Sequence, residues 1–332
     1  MKGIFLGGDA MFRVYCDETL ATLQEKIKIE PVCYKKADII AAPEKFSSVE
    51  YIFSTWGMPK FTEEEIRECF PSLKALFYGA GSVKSFAEPF LLRGVKVFSA
   101  WGANAVPVAE YTVAQILLAN KGFYLSCRRD RSVEGYQRAL AHFHASRGNY
   151  GARVGIIGAG MIGKMVIREL GRYKLDVVVY DPFLSDEAAR ELGAKKITLK
   201  ELFATCDVIS NHVANVPETQ GMMKYELFAS MKKNATFINT GRGAQVVEED
   251  LIRAMREEPE RTALLDVTVD EPPTEGSELY SLENIFLTPH IAGSAGDEVA
   301  RMGEYMLDEF TKYTNGEPTL YEVTEKMLAT MA

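Results

Sequence analysis

The chain has 332 residues, 47% hydrophobic and 25% charged, which suggests about two globular domains of ordinary composition. Its 38 basic and 46 acidic residues leave a net charge of −8, which opposes nonspecific binding to nucleic acid or to anionic membranes. Cys16, Cys33, Cys69, Cys127 and Cys206 are scattered, with no CxxC pair and no histidine at ligand spacing, so neither a disulfide framework nor a metal site is expected. No run approaches the roughly 18 apolar residues of a membrane span, and the apolar stretch before Gly8-Asp9 is too short for a signal peptide, so a cytoplasmic protein is expected.

In chain order, Gly3–Leu6 and the segments 29–33, 52–54, 74–78 and 95–98 read as strands, with helical patterns such as 63–70 between them. That alternation predicts a small parallel α/β domain over the first hundred residues. Asn104, with Pro107 soon after, is expected to start a long apolar-faced helix reaching about Phe123 and opening a second domain. The segment 124–147 then carries Tyr124, Arg128, Arg129, Arg131, Tyr136, Arg138, His142, Phe143, His144 and Arg147. Its composition is that of a nucleic-acid patch, but the acidic balance elsewhere outweighs it, and His142 and His144 read as interface or surface residues.

Next, Arg153–Ile157 reads as a strand leading into Gly158-Ala159-Gly160-Met161-Ile162-Gly163, followed by the helical pattern 165–170. In a GxGxxG turn so placed, the first glycine permits the tight turn, the second admits a pyrophosphate to the backbone, and the third lets helix pack on strand. The diphosphate then sits on the helix N-terminus. Asp176–Tyr180 forms the next strand and ends at Asp181, 18 residues beyond Gly163. That is close to the distance expected for the carboxylate that binds a ribose diol, and a carboxylate there repels a 2′-phosphate, favouring NAD over NADP.

Three polar residues follow within a short stretch. Arg242 lies between Gly241 and Gly243 after the apolar run 235–238, where the glycines are expected to leave its guanidinium free to grip a carboxylate through two parallel hydrogen bonds. Glu271 precedes Pro272 and Pro273, and His290 follows Pro289 at the end of the strand-like Ile285–Leu287. A glutamate beside a histidine supplies a proton donor near neutral pH. Taken singly, a surface arginine, an N-capping glutamate and a core histidine are the plain alternatives. A last amphipathic pattern, with Val299, Met302, Met306, Phe310 and Tyr313 on one face and Asn315-Gly316 as its stop, is expected to return to the first domain.

With these segments in place, the chain from about residue 50 to about 315 resembles the D-isomer-specific 2-hydroxyacid dehydrogenases, the family of D-lactate, glycerate and phosphoglycerate dehydrogenases. The resemblance rests on GAG at 79–81, NAVPVAEYT at 104–112, VGIIGAGMIG at 154–163, YDP at 180–182, CDVISNHVANVPET at 206–219, INTGRG at 238–243, and the segments bearing Glu271 and His290. It implies a Rossmann-type doubly wound parallel sheet that binds NAD, over 103–294. A smaller flavodoxin-like α/β substrate domain, discontinuous over 1–102 and 295–332, would complete the chain.

By the same resemblance Arg242 would bind the substrate carboxylate and polarise the 2-oxo group, His290 would be the acid/base, and Glu271 would hold His290 in its tautomer and favour its protonated form. Asp266 would contact the nicotinamide amide, and the backbone of Ala80 and Gly81 would receive the substrate carboxylate. His212 and Thr219 would line the adenosine and phosphate side. Thr112, Pro182, Ala214, Thr240 and Gly241 would complete the cofactor site, with Met161 and Ile162 at the helix start. Ala214 stands where the family usually has proline, which puts the stiffness of that loop in question, and Ser82-Val83-Lys84 replace the acidic or amide residue often found after the glycine. The segment 124–147 falls in the family's arm between dimer partners, implying a homodimer.

The expected activity is NAD-dependent reduction of a small 2-oxo acid. The alternatives are a dinucleotide-sensing, corepressor-like binding protein on the same fold and a phosphite dehydrogenase; a formate enzyme would carry glutamine at Glu271. Ser54-Thr55-Trp56-Gly57-Met58-Pro59 corresponds to the loop that faces substrate, where Trp56 and Met58 offer apolar surface and only Lys60 is cationic. An unphosphorylated substrate is therefore expected, with packing of Trp56 in the first domain's core as the plain alternative.

Overall fold

The computed structural model describes residues 1–129 and 131–328. It divides into two compact units, Met1–Ala105 with Ser294–Ala332, and Val106–Gly293. Among the described residues no helix is long and apolar enough to cross a membrane.

The first unit is built on five parallel strands, β1 (Gly3–Leu6), β2 (Cys33–Tyr34), β3 (Tyr51–Ser54), β4 (Ala75–Tyr78) and β5 (Lys96–Ser99), in the order β5-β4-β3-β1-β2. This is the flavodoxin-like order. Glu322–Val323 adds an antiparallel edge strand beside β5. Register aligns Phe5 with Phe53, Phe53 with Phe77, and Phe77 with Phe98. The result is one row of phenylalanines across four strands, with Phe53–Phe77 and Phe77–Phe98 stacked at 5.3 and 4.8 Å. The helix Ala300–Asn315 lays Phe310 edge-on against Phe53 and Phe77 and ends in a left-handed Gly316. The return of the last amphipathic pattern to the first unit is thus an aromatic contact.

In the second unit seven parallel strands follow: β6 (Arg153–Ile157), β7 (Asp176–Tyr180), β8 (Lys195–Lys196), β9 (Val208–Asn211), β10 (Thr236–Asn239), β11 (Thr262–Leu265) and β12 (Ile285–Leu287). Their order, β12-β11-β10-β9-β6-β7-β8, is the doubly wound Rossmann arrangement, with its switch point between β6 and β9. All but the edges are buried on both faces, so they read as apolar runs without alternation.

Local expectations fail at three places, each for a physical reason. The strand expected at 29–33 is reduced to Cys33–Tyr34, because Pro31 has no N–H to give β1 and interrupts the ladder. The long helix starts at Trp101 and ends at Ala119, with Pro107 inside it. Asn104 does not cap it; its Oδ1 accepts from Ser294 N at 3.0 Å. In the segment 124–147, helices Phe123–Arg129 and Val133–Ala145 turn several polar residues inward. Arg128 donates to the carbonyls of Leu282, Glu283 and Ile285. Arg129 pairs with Glu260 at 3.0 Å, and His142, which is buried, meets the same carboxylate at 3.0 Å. His142 is therefore no surface residue; it satisfies a half-sequestered carboxylate within its own unit.

Candidate active site

The carboxyl ends of β6, β7, β9, β10 and β11 carry the polar groups of the second unit. After β6 the chain turns at Gly158 with φ 90°, where a side chain would come within 2.9 Å of the His212 backbone. A Cβ at Gly163 would lie 2.0 Å from the Gly158 carbonyl, so only glycine lets helix Met161–Leu170 close on the turn. That helix is capped by Gly160 with no side-chain bond and has no acidic residue in its first turn. Its first N–H groups are left to an incoming anion.

Asp181 closes this end. Its carboxylate accepts from Ala159 N at 2.7 Å and from Phe183 N and Leu184 N at 2.8 and 3.1 Å. One end of the glycine turn is thereby tied to the end of β7 just ahead of Pro182. Across the switch point, Nε2 of His212 lies 2.9 Å from Ser210 Oγ, and burial pushes its pKa down to about 3. The ring is neutral at any physiological pH. Thr240 Oγ1 lies 3.5 Å from His212 Nδ1 and 3.3 Å from Thr112 Oγ1, so Thr112, Thr240, His212 and Ser210 form one polar line. Thr219 donates to Ala214 O at 2.6 Å and accepts from Val216 N at 3.1 Å. Its hydroxyl pins the loop at the position where proline is missing.

Arg242 follows β10. Its backbone N–H is held by Gln245 Oε1 at 3.1 Å, its carbonyl by Asn239 Nδ2 at 3.2 Å, and Nη1 donates to Gly241 O at 2.7 Å. Gly243 is needed because a Cβ would overlap the Thr268 backbone at 2.0 Å; close backbone packing by itself requires glycine at this position. Below lies a group that sequence reading missed: Asn211 Nδ2 donates to Asn239 Oδ1 at 3.0 Å and to Gln245 Oε1 at 2.5 Å, and Gln245 Nε2 donates to Val213 O at 2.7 Å. All three amides are buried. An asparagine ending each of two adjacent apolar runs was the available signal.

His290 Nδ1 meets Glu271 Oε2 at 2.8 Å, with both side chains nearly half exposed. His290 has φ 53°, the one left-handed non-glycine residue among those described, and such strain concentrates at functional sites. With Nδ1 bound to the carboxylate, Nε2 is left for a reacting group. A cavity of about 380 Å³ beside the pair is lined by Asp266, Thr268, Glu271, Tyr280, Leu287 and His290, among others. Asp266, at the end of β11, is buried and accepts from Thr288 Oγ1, Ile291 N and Ala292 N.

Trp56, Ala80 and Gly81 belong to the first unit. Trp56 is 41% exposed and so is not core, whereas Met58 is buried and accepts from Ser54 Oγ; it offers no apolar surface, contrary to its expected role. Ala80 N donates to Tyr78 O at 2.9 Å, and Ser99 Oγ donates to Ala80 O. Among the described residues Gly81 N has no protein acceptor.

Together the second unit offers a site for a dinucleotide diphosphate, a guanidinium for a carboxylate, and an imidazole oriented for proton transfer. The family model described as D-isomer specific 2-hydroxyacid dehydrogenase, NAD binding domain, matches residues 122–292. The D-3-phosphoglycerate dehydrogenase of Archaeoglobus fulgidus is 32% identical over 226 residues, 68% of this chain and 42% of that protein. That of Methanocaldococcus jannaschii is 30% identical over 240 residues, 72% of this chain and 45% of its own length. The aligned chain thus spans less than half of either relative. Apo D-mandelate dehydrogenase of Rhodotorula graminis shares the fold over 98% of both chains, with a TM-score of 0.83 and 22% identity.

Proposed function

Because the chain belongs to the D-isomer specific 2-hydroxyacid dehydrogenase family and carries its NAD-binding domain, we propose that it reduces a small 2-oxo acid to the D-2-hydroxy acid with NADH. The observation that carries this reading is the His290–Glu271 contact at 2.8 Å with His290 held at φ 53°. The N-terminus of helix Met161–Leu170 would hold the diphosphate, and Asp181 the adenosine ribose, its carboxylate oxygens having acceptor capacity beyond their three backbone donors. Bound NADH supplies the hydride for C2 of the substrate.

The remaining chemistry belongs to side chains. Arg242 grips the substrate carboxylate and, by its charge, polarises the adjacent 2-oxo group. As C2 gains the hydride, its oxygen takes a proton from Nε2 of His290, while Glu271 keeps the Nδ1 proton in place and stabilises the imidazolium. The reverse reaction returns that proton to the imidazole. Gly81 would offer its backbone N–H to the carboxylate, with Ala80, whose own N–H is held by Tyr78 O, placing it there, and Trp56 would contact the substrate side chain. Lys60 is the only cation in the 54–60 loop, which favours unphosphorylated acids because a buried phosphate needs matched cations.

A homodimer through helices Phe123–Arg129 and Val133–Ala145 belongs to the same proposal. Val133, Tyr136, Leu140 and Phe143 expose one apolar face of the second helix, the kind of patch that marks a protein interface. The deciding experiment is a panel of 2-oxo acids with NADH, followed at the nicotinamide absorbance. Turnover of unphosphorylated acids in preference to 3-phosphohydroxypyruvate is expected. Failure to reduce any 2-oxo acid, or a clear preference for the phosphorylated one, would overturn the activity or the substrate class respectively.

A further inference from the structure

The Asp266 carboxylate does more than wait for a cofactor. Oδ1 accepts from Thr288 Oγ1 at 2.6 Å and from Ile291 N at 2.9 Å, and Oδ2 accepts from Ala292 N at 2.9 Å. The backbone carbonyl of the same residue accepts from His290 N at 3.0 Å. One aspartate therefore holds residues two before, one after and two after His290, as well as His290 itself. Since the histidine sits in a left-handed conformation that costs about 1–3 kcal/mol, something must hold both flanks. These four bonds do so.

The direction of the bonds extends the arrangement outward. Thr288 gives its only hydroxyl hydrogen to Asp266, so the Tyr111 hydroxyl, 3.1 Å from Thr288 Oγ1, must be the donor in that contact. Tyr111 lies in the long helix Trp101–Ala119. Behind the three side chains is a cavity of about 160 Å³, lined by Tyr111, Gln115, Tyr124, Thr240, Asp266 and Thr288, among others. Where these side chains border that cavity, the hydrogen bonds supply the directional restraint. A carboxylate offers about four acceptor sites; three are taken, and the one remaining on Oδ2 is free for a cofactor amide.

We propose that Thr288, backed by Tyr111, is a positioning residue that orients the Asp266 carboxylate so that it clamps both flanks of His290. Neither hydroxyl touches a reacting atom, and the effect on turnover rests on the activity proposed above. Thr288→Val keeps the shape and removes the hydroxyl, Thr288→Ser keeps the hydroxyl, and Tyr111→Phe keeps the ring. Hydrogen–deuterium exchange of the peptide covering 288–293 reads the clamp directly and needs no substrate.

Exchange is expected to rise about tenfold in Thr288→Val, less in Tyr111→Phe, and to return to the wild-type rate in Thr288→Ser. At saturating NADH and 2-oxo acid, kcat should fall about tenfold in Thr288→Val, with the NADH Kd, from nicotinamide fluorescence, within about twofold of wild type. Unchanged exchange in both Thr288→Val and Tyr111→Phe would overturn the proposal. So would a loss of NADH affinity at constant kcat, which would place the hydroxyl in cofactor binding. A wild-type protein that reduces no 2-oxo acid would refute the activity alone, since the exchange result would still decide the clamp. If Thr288→Val does not fold, Tyr111→Phe carries the same comparison.

Discussion

The two sheets use the same kind of register for opposite ends. In the first unit, β1, β3, β4 and β5 bring Phe5, Phe53, Phe77 and Phe98 into one line. In the second, the corresponding line runs Ile157, Asn211, Asn239, Leu265, with two buried amides at its centre. The phenylalanine row gains from area and dispersion and tolerates no polar atom. The asparagine row is stable only because Gln245 and Asn239 answer the Asn211 donors. A buried network of this kind orders the loops bearing Val213 and Arg242, which aromatic packing cannot do, since hydrogen bonds have direction and dispersion does not.

Substitutions separate these two kinds of order. His290→Gln should lower kcat by about 10²–10⁴-fold, the usual contribution of an acid/base group, with the melting temperature little changed because the side chain is nearly half exposed and lies outside the core. Steady-state kinetics beside a thermal melt checks both halves. Phe77→Ala should do the reverse: it removes a fully buried ring that contacts Phe53, Phe98 and Phe310, at a cost of about 3–5 kcal/mol. Urea titration at low temperature would measure it, and a loss under about 1 kcal/mol would show that the row closes around the gap.

Asn211→Ala lies between them. It takes one donor from each of two buried acceptors, leaving Asn239 Oδ1 with Gly241 N and Gln245 Oε1 with Arg242 N. It should cost about 1–3 kcal/mol for the two bonds while also raising the KM for the 2-oxo acid, because the Arg242 loop loses part of its support. If stability falls and KM does not move, the network serves the core alone. Smaller again is cofactor choice: the Asp181 carboxylate should favour NADH over NADPH by at least about tenfold, or about 1.4 kcal/mol. Equal kcat/KM with the two cofactors would remove Asp181 from that role.

The smallest effect concerns Glu260. Burial pushes this carboxyl up, but His142 and Arg129 more than offset that and hold it below its ordinary value of 4.5. A depressed folded-state pKa contributes stability that is present above the unfolded value and is lost as pH falls through the folded one. The melting temperature of wild type should therefore exceed that of Glu260→Gln at pH 6, and the difference should shrink on acidification below about pH 4.5. A gap that stays constant with pH would mean that the carboxylate contributes through shape and not through charge.

Much of this molecule is legible along the chain. The strands at Gly3–Leu6, Arg153–Ile157 and Asp176–Tyr180 lie where their apolar runs place them, because a strand buried on both faces must be apolar along its interior; the edge strand Ile285–Leu287 also lies on its apolar run. The glycine turn is equally local: Gly158 must be left-handed and Gly163 must have no Cβ, and both needs are written as residue identity. Pro31, by contrast, broke a strand that hydrophobicity alone favoured. Pro107 sits within a helix that pattern reading placed it near the start of.

By itself, then, the sequence determined the strand pattern, the phosphate turn, and the residue types available for proton transfer and carboxylate binding, since each of these depends on neighbours a few positions away. Only the tertiary structure decided that Met58 is buried, that Arg129 and His142 face Glu260, that Gly243 serves Thr268, and that Asp266 brackets His290. Each of those outcomes depends on partners 20 or more residues away in the chain, or on how closely two distant backbones approach. A polar side chain reads the same in sequence whether it meets water or a buried partner, and the free energy of that difference is set where the chain folds back on itself.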